Sequence, residues 1–157
     1  MTREQKFMQE AIHLSRHGMQ LQHGGPFGCV IVKGEEIVGR GWNRVTSTND
    51  PTAHAEVVAI RDACSRLGTF QLDGCEIYTS CEPCPMCMGA IYWARPRKVY
   101  FGNTREDAAT AGFDDSFIYT ELALPLDSRL IKLCNLGREE ALVVFREWAE
   151  KQDKTAY

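Results

Sequence analysis

The sequence predicts an α/β fold: a three-layer α/β/α sandwich around a mixed sheet. Three observations support this prediction. An amphipathic helix opens the chain, a β-hairpin follows it, and short strands then alternate with helices. That order of elements is typical of a sheet that carries helices on both faces.

The first helix is predicted to open at a capping box formed by Thr2 and Gln5, and to end near residue 22. Gly24, Gly25 and Pro26 follow and break the helical pattern. The helix is expected to bury two rows of side chains against the sheet: Phe7, Ala11 and Leu14, and then Met8, Ile12, Ser15 and Met19.

The hairpin is predicted over residues 27–33 and 36–43, with its turn near Gly34. Two glycines, Gly39 and Gly41, lie within its second strand. A glycine inside a strand indicates a bulge or the close approach of another backbone. We therefore expect another element to pack directly on this strand.

The remaining elements alternate. A loop over residues 46–51 leads to a helix over about residues 53–67, which ends at Gly68. A strand over 76–79 precedes a helix that begins with Pro85 and ends before Pro96. A strand over 98–101 follows. The last predicted helix covers 137–152, with Ala141, Phe145 and Trp148 on one face.

Length and composition predict one domain over residues 1–157. The polar N-terminus does not resemble a secretory signal, and the apolar runs are too short to span a membrane. The seven cysteines favour reduced thiols in the cytoplasm, some of them binding metal. The net charge of −3 argues against a nucleic-acid partner, which normally requires a basic surface.

Two short motifs together predict a catalytic zinc site. His54 and Glu56 form the first motif, and Cys84 and Cys87 form the second. One imidazole and two thiolates give zinc three protein ligands and leave its fourth tetrahedral position open, as in catalytic sites. Glu56 then remains as a carboxylate that can carry protons, and this combination of motifs is typical of nucleobase deaminases.

Two alternatives remain open at this point. Cys81 could complete a closed, structural Cys₃His site, although this would leave Glu56 without a role. The two motifs could also occur together by chance, without binding any metal.

The remaining cysteines and histidines are expected to have no role in the site. Cys29, Cys64, Cys75 and Cys134 are expected to be inert. His13, His17 and His23 are expected at the surface or at a helix end.

Four segments extend the motifs into a family resemblance. They are residues 49–56 (NDPTAHAE), 79–87 (TSCEPCPMC), 90–96 (AIYWARP) and 111–119 (AGFDDSFIY). With these segments the chain resembles bacterial guanine deaminases, a family of the cytidine-deaminase-like zinc hydrolase superfamily. The resemblance covers most of the chain.

The resemblance implies a five-stranded mixed sheet and hydrolysis of guanine to xanthine and ammonia, a step of purine catabolism or salvage. It implies one zinc ion per subunit on His54, Cys84 and Cys87, with Glu56 as the catalytic proton shuttle. It also implies a homodimer in which residues 137–157 are exchanged between subunits. The implied purine pocket consists of Phe27, Asn43, Ala55, Trp93, Asp115 and Tyr157.

Several other interpretations stay open. A tRNA adenosine deaminase would share the zinc motifs, but acidic and basic residues interleave in equal number over residues 125–157, which is a poor phosphate track. A small cytosine or aminotriazine deaminase is a third enzymatic interpretation, and a structural zinc interaction module is the non-enzymatic one.

Some of the implied pocket residues also have other interpretations. Phe27 could pack in the core, Asp114 and Asp115 could be a solvated pair, and the tail could be a disordered end.

Overall fold

The structure is a computed structural model that describes residues 1–157 as two compact units, Met1–Asp115 and Ser116–Tyr157. The first unit contains four strands and five helices. Its elements are α1 (Arg3–Gln20), β1 (Gly28–Lys33), β2 (Glu36–Trp42), α2 (Val45–Thr48), α3 (Ala55–Leu67), β3 (Cys75–Cys81), α4 (Pro85–Ala94), β4 (Lys98–Asn103) and α5 (Arg105–Thr110).

The sheet is mixed, as predicted. Its strand order is β2-β1-β3-β4. Strand β1 runs antiparallel to both β2 and β3, and β3 runs parallel to β4, to which α4 connects it. This order places the start of β1 beside the end of β3. Both lie close to the N-termini of α3 and α4.

The expected fifth strand is absent, and this part of the prediction was wrong. The sheet has four strands, and after β4 the chain forms only helices, turns and loops. Residues 130–136 carry several apolar side chains but form no ladder, because a strand requires a neighbouring strand to pair its backbone N–H and C=O groups.

Helices cover both faces of the sheet, which confirms the three layers. On one face, Phe7 and Leu14 of α1 pack against Val30, Val32 and Tyr78. On the other face, a second cluster joins the alanines of α3 and the end of α4 to the sheet; it comprises Cys29, Ile31, Ala55, Ala59, Ala63, Leu72, Cys75, Ile77, Ile91 and Ala94. Alternate residues along β1 and β3 therefore serve opposite layers.

Helix α1 opens with the predicted capping box of Thr2 and Gln5. Its buried stripe is narrower than expected, however, because only Phe7, Ala11, Leu14 and Gly18 are buried. Ile12 and Met19 are 42% and 47% exposed, so their inclusion in the stripe was wrong. The helix contacts the sheet along a single row of side chains at positions i, i+4 and i+7. A residue next to this row in sequence is rotated by about 100° around the helix axis, so its side chain points away from the sheet.

The glycines of β2 play the predicted role. The β1–β2 register shifts between Ile31 and Val32, which is the expected bulge. A Cβ atom on Gly41 would lie 2.3 Å from the carbonyl oxygen of Ala55, and one on Gly39 would lie 2.7 Å from that of Ala59. Helix α3 therefore packs backbone to backbone against β2, which fixes where α3 begins.

The second unit contains α6 (Ser116–Ala123), a 3₁₀ turn (Leu126–Ser128) and α7 (Arg138–Glu150). Helix α7 agrees closely with the helix predicted over 137–152, but none of its residues is buried, and Phe145 is 75% exposed. Many other large apolar side chains of this unit are exposed: Phe117, Leu122, Leu130, Ile131, Leu133, Leu136, Val144 and Trp148.

No helix in the chain has the length and apolarity that a membrane crossing requires.

Candidate metal centre

Three potential ligand atoms meet at the beginnings of α3 and α4. His54 Nδ1 lies 3.5 Å from Cys84 Sγ and 3.6 Å from Cys87 Sγ, and all three ligand atoms lie within 4.8 Å of one another. Zinc bonds of about 2.3 Å to sulfur and about 2.0–2.1 Å to nitrogen, at tetrahedral angles, separate a sulfur from a nitrogen ligand by about 3.6 Å. The spacing therefore fits a zinc ion.

The local sequence explains why these side chains converge. His54 is the N-cap residue of α3 and Cys84 is the N-cap residue of α4, where Pro85 occupies the first helical position. Each residue therefore lies immediately before the first turn of its helix. Cys87, three residues after Cys84, lies on the first turn of α4. Both helices direct their positive ends at the site, which favours thiolates and other anions there.

The electrostatics of the site favour one ionised thiol even before metal binds. The contact of Cys84 with the neighbouring Cys87, and then the hydrogen bond with His54, lower the pKa of Cys84 to about 4 despite its partial burial. The neighbouring Cys84 thiolate raises the pKa of Cys87. The hydrogen bond to Cys84 likewise raises the pKa of His54.

Glu56 lies beside the ligand cluster on the first turn of α3 and is buried. Thr79 donates a hydrogen bond from Oγ1 to Glu56 Oε1 at 3.0 Å, and the Cys87 thiol donates to Glu56 Oε2 at 3.4 Å. Burial raises the pKa of the carboxyl group, and the two hydrogen bonds oppose that shift. A carboxyl group therefore faces the sulfur of a potential metal ligand.

Cys81 does not join the ligand cluster. Its thiol donates to the carbonyl oxygen of Thr104 at 3.8 Å, and burial raises its pKa to about 11. All seven cysteines are free; Cys29 and Cys75 are buried, Cys64 is half-buried and Cys134 is exposed. The arrangement therefore favours the open, three-ligand site over a closed Cys₃His site.

Three predicted pocket residues are held by packing or by a hydrogen bond. The ring of Phe27 meets that of Phe113 edge to face at 4.9 Å, and Phe27 also packs against the core. Asn43 is buried, and its Oδ1 accepts a hydrogen bond from the backbone N–H of Val45 at 3.1 Å. Ala55 is fully buried in the core cluster. The substrate contacts of these residues remain predictions.

Asp115 lies close enough to the site to interact with it electrostatically. Partial burial raises the pKa of its carboxyl group, and the Cys84 thiolate raises it further. Trp93 is 63% exposed, with the Arg95 guanidinium 5.9 Å from the centre of its ring. Tyr157 is an exposed residue of the second unit.

Sequence reasoning missed two residues of this region, Thr79 and Phe113. Thr79 shares one face of its strand with Ile77 and Cys81, and a hydroxyl between two such side chains is a signal that a buried polar partner exists. No simple pattern marks Phe113, because its contact with Phe27 joins a strand to a distant loop.

Known proteins resemble this chain well beyond the residues of the metal site. Residues 1–103 match the family model described as the cytidine and deoxycytidylate deaminase zinc-binding region. The guanine deaminase of Bacillus subtilis is 52% identical over 151 residues, which are 96% of this chain and 97% of that protein. The X-ray structure of Bacillus subtilis guanine deaminase superposes with a TM-score of 0.95 over 98% of both chains.

The similarity to RNA-modifying relatives is shorter. The tRNA-specific adenosine deaminase of Aquifex aeolicus is 50% identical, but over only 76 residues, which are 48% of this chain and 50% of that protein. The shared part is thus about half of each chain, whereas the similarity to the Bacillus subtilis protein continues through the second unit.

Proposed function

Because the chain belongs to the cytidine and deoxycytidylate deaminase family of zinc-binding proteins, we propose that it hydrolyses guanine to xanthine and ammonia. The observation that carries the proposal is the buried carboxyl group of Glu56, 3.4 Å from Cys87 in a cluster whose spacing fits zinc. The near full-length similarity to a guanine deaminase selects guanine among the substrates of the family.

His54, Cys84 and Cys87 would hold the zinc ion. Zinc bound by three such ligands would lower the pKa of a coordinated water to about 7 and so would supply the nucleophile. The donor set supports this role, because one imidazole and two thiolates suit zinc and leave room for a fourth ligand.

Glu56 moves the protons. Its carboxylate accepts a proton from the water that attacks C2 of guanine, and returns it to a ring nitrogen as the tetrahedral carbon forms. Glu56 then transfers the second proton of that water to the departing amino group, which leaves as ammonia. One water enters and one ammonia leaves, so the reaction needs no other co-reactant.

The remaining predicted residues would bind the base. Asp115 would accept hydrogen bonds from the N–H groups of guanine, and the Asn43 amide would pair with one donor and one acceptor. Phe27 and Trp93 would contact the flat faces of the ring. The partly buried position of Asp115, within the field of Cys84, supports its placement beside the substrate.

We further propose a homodimer in which the C-terminal segment is exchanged and Tyr157 covers the partner's site. The support is the set of large apolar side chains that the second unit exposes, Phe145 and Leu136 among them. So much exposed apolar surface on a small unit indicates a partner surface. Deletion of residues 153–157 tests the lid: activity should fall strongly with little change in thermal stability, and an unchanged rate would make the tail a frayed end.

A reducing compartment such as the cytoplasm suits this chemistry. The seven cysteines are all free, including an exposed one, Cys134. Free thiols, two of them proposed zinc ligands, persist where disulfide formation is suppressed.

The experiment that tests the proposal is ammonia release by the zinc-loaded protein from a panel of guanine, guanosine, adenine, cytosine, an aminotriazine and an adenosine-containing tRNA loop. We expect guanine to be the best substrate by a wide margin. Preferential release from the tRNA loop, cytosine or the triazine would move the chain to the corresponding deaminase, and no release from any substrate would favour a structural zinc module.

A further inference from the structure

We propose that Thr79 is a positioning residue for the deamination: its hydroxyl holds one carboxylate oxygen of Glu56 so that the other faces the reacting water. The inference rests on the proposed function of Glu56 as the proton carrier. It adds a residue outside the metal ligands and the base-binding pocket.

The geometry assigns different tasks to the two oxygens of Glu56. Oε1 accepts the hydrogen bond from Thr79 Oγ1 at 3.0 Å, on the side of the sheet. Oε2 lies 3.4 Å from Cys87 Sγ, one of the three clustered ligand atoms. The anchored oxygen therefore points to β3, and the other points to the metal site.

The buried position of Thr79 within β3 indicates that its hydroxyl is there to make a hydrogen bond. Successive side chains of a strand alternate between faces, so Thr79 shares the face of Ile77, which packs in the apolar cluster of α3 and α4. Thr79 is 1% exposed. Valine would fill nearly the same volume there, and a buried hydroxyl is costly unless it finds a partner. Glu56 is the partner that the structure provides.

Zinc binding makes the Thr79 hydrogen bond more important. A cysteine that binds zinc does so as a thiolate, which has no proton to donate. Cys87 would then no longer hold Oε2, which becomes available to the reacting water. The terminal torsion of a glutamate is broad, so without a second anchor the carboxylate would sample unproductive orientations. Thr79 supplies that anchor.

The test compares Thr79→Val with Thr79→Ser, the matched control that keeps the hydroxyl. With guanine, Thr79→Val should lower kcat by about 10- to 100-fold, the range expected for a lost hydrogen bond to a charged group, and change KM little. Thr79→Ser should stay within a few-fold of wild type. In the Glu56→Gln background, Thr79→Val should have no further effect, because the residue acts through Glu56.

A structural role would give a different pattern. Thr79→Ala also removes the hydroxyl but leaves a cavity, so a packing role would make it clearly worse than Thr79→Val, whereas a positioning role makes the two alike in kcat. Zinc content should remain one ion per chain in each variant. A crystal structure of zinc-loaded Thr79→Val should show the Glu56 carboxylate rotated from its wild-type orientation.

The outcomes separate this inference from the proposed function. A wild-type protein without guanine deaminase activity would contradict the proposed function, and the crystal structure would still test the anchoring of Glu56. An active wild type with Thr79→Val at an unchanged kcat, or with an unmoved carboxylate, would overturn the role of Thr79 alone.

Discussion

Cys81 and Cys84 lie three residues apart, yet their thiols serve different partners. Cys84 Sγ faces His54, whereas Cys81 Sγ donates to the carbonyl oxygen of Thr104. Pro83 and the N-cap position of Cys84 turn the chain between them, so Cys81 remains in strand β3 while Cys84 opens helix α4.

Replacing Cys81 by serine should therefore leave zinc binding intact. Metal analysis of the purified Cys81→Ser variant is expected to give one zinc ion per chain, as in the wild type. Loss of zinc from a variant whose circular dichroism and melting temperature are unchanged would show that Cys81 is a fourth ligand, and the site would then be structural.

Asp115 is predicted to decide the preference for guanine. Asp115→Ala should reduce kcat/KM for guanine by about 10- to 150-fold, because a hydrogen bond to a charged group contributes about 1.5–3 kcal/mol. Zinc content should not change. Its exposed neighbour Asp114 provides the matched control, and Asp114→Ala should retain more activity. Normal guanine turnover by Asp115→Ala would remove the residue from the pocket.

The sequence allowed prediction of the metal cluster but not of its full surroundings. His54, Cys84, Cys87 and Glu56 occur in two short segments with fixed spacing, and each lies at a helix start where local rules apply. The bond from Thr79 to Glu56 joins residues from different elements. Such contacts depend on how a strand and a helix pack, which local patterns do not encode.

At the scale of secondary-structure elements, the approach of α3 to β2 holds His54 and Glu56 at the sheet. Gly41 allows this close approach because it has no side chain: a Cβ atom there would lie only 2.3 Å from the carbonyl oxygen of Ala55. Gly41→Ala should therefore destabilise the protein by about 2 kcal/mol or more, the cost of overpacking against backbone that cannot yield.

Gly89→Ala is the matched control for this prediction. Gly89 lies within helix α4, and a Cβ there would meet no atom within 4 Å apart from its chain neighbours and the nearby backbone of its own helix. Alanine is the better helix former, so this change should stabilise the protein by about 1 kcal/mol. Urea denaturation of both variants checks the pair; equal stability of Gly41→Ala and wild type would mean that α3 and β2 are farther apart than described.

The elements differed in how far local sequence determined them. The capping box correctly predicted the start of α1. A C-terminal glycine correctly predicted the end of α3, and Pro85 the start of α4. Helix α5 carries a capping box of Thr104 and Asp107 that could have been recognised. The fifth strand was expected from family resemblance alone, and strand formation depends on a partner that the local sequence does not specify.

At the scale of the whole first unit, a buried carboxylate links the start of its first helix to the residue just before its last strand. Glu76 of β3 is 4% exposed and accepts hydrogen bonds from Arg97 at 2.6 Å and from Arg3 at 2.7 Å. These bonds, chiefly that of Arg97, lower the pKa of Glu76 from its ordinary 4.5 to about 2. The ionised form therefore stabilises the fold.

A lowered pKa gives stability that is present above the unfolded value and disappears in acid. Glu76→Gln should therefore lower the free energy of unfolding at pH 7 by about 1.5–3 kcal/mol, in the range for charged hydrogen bonds. The difference between wild type and variant should shrink as pH falls from 4.5 towards 2. Urea titrations across this range measure it, and a difference independent of pH would contradict an ionic role.

The central claim is that this chain deaminates guanine with Glu56 as its proton carrier at a zinc site. The most direct measurement is the rate of xanthine formation from guanine by zinc-loaded wild type and by Glu56→Gln, with zinc content and melting temperature determined for both. We predict that wild type forms xanthine, and that the variant keeps one zinc ion per chain and its stability while losing about 10²–10⁴-fold in rate. A variant within a few-fold of wild type, or a fully loaded wild type that forms no xanthine, would contradict the claim.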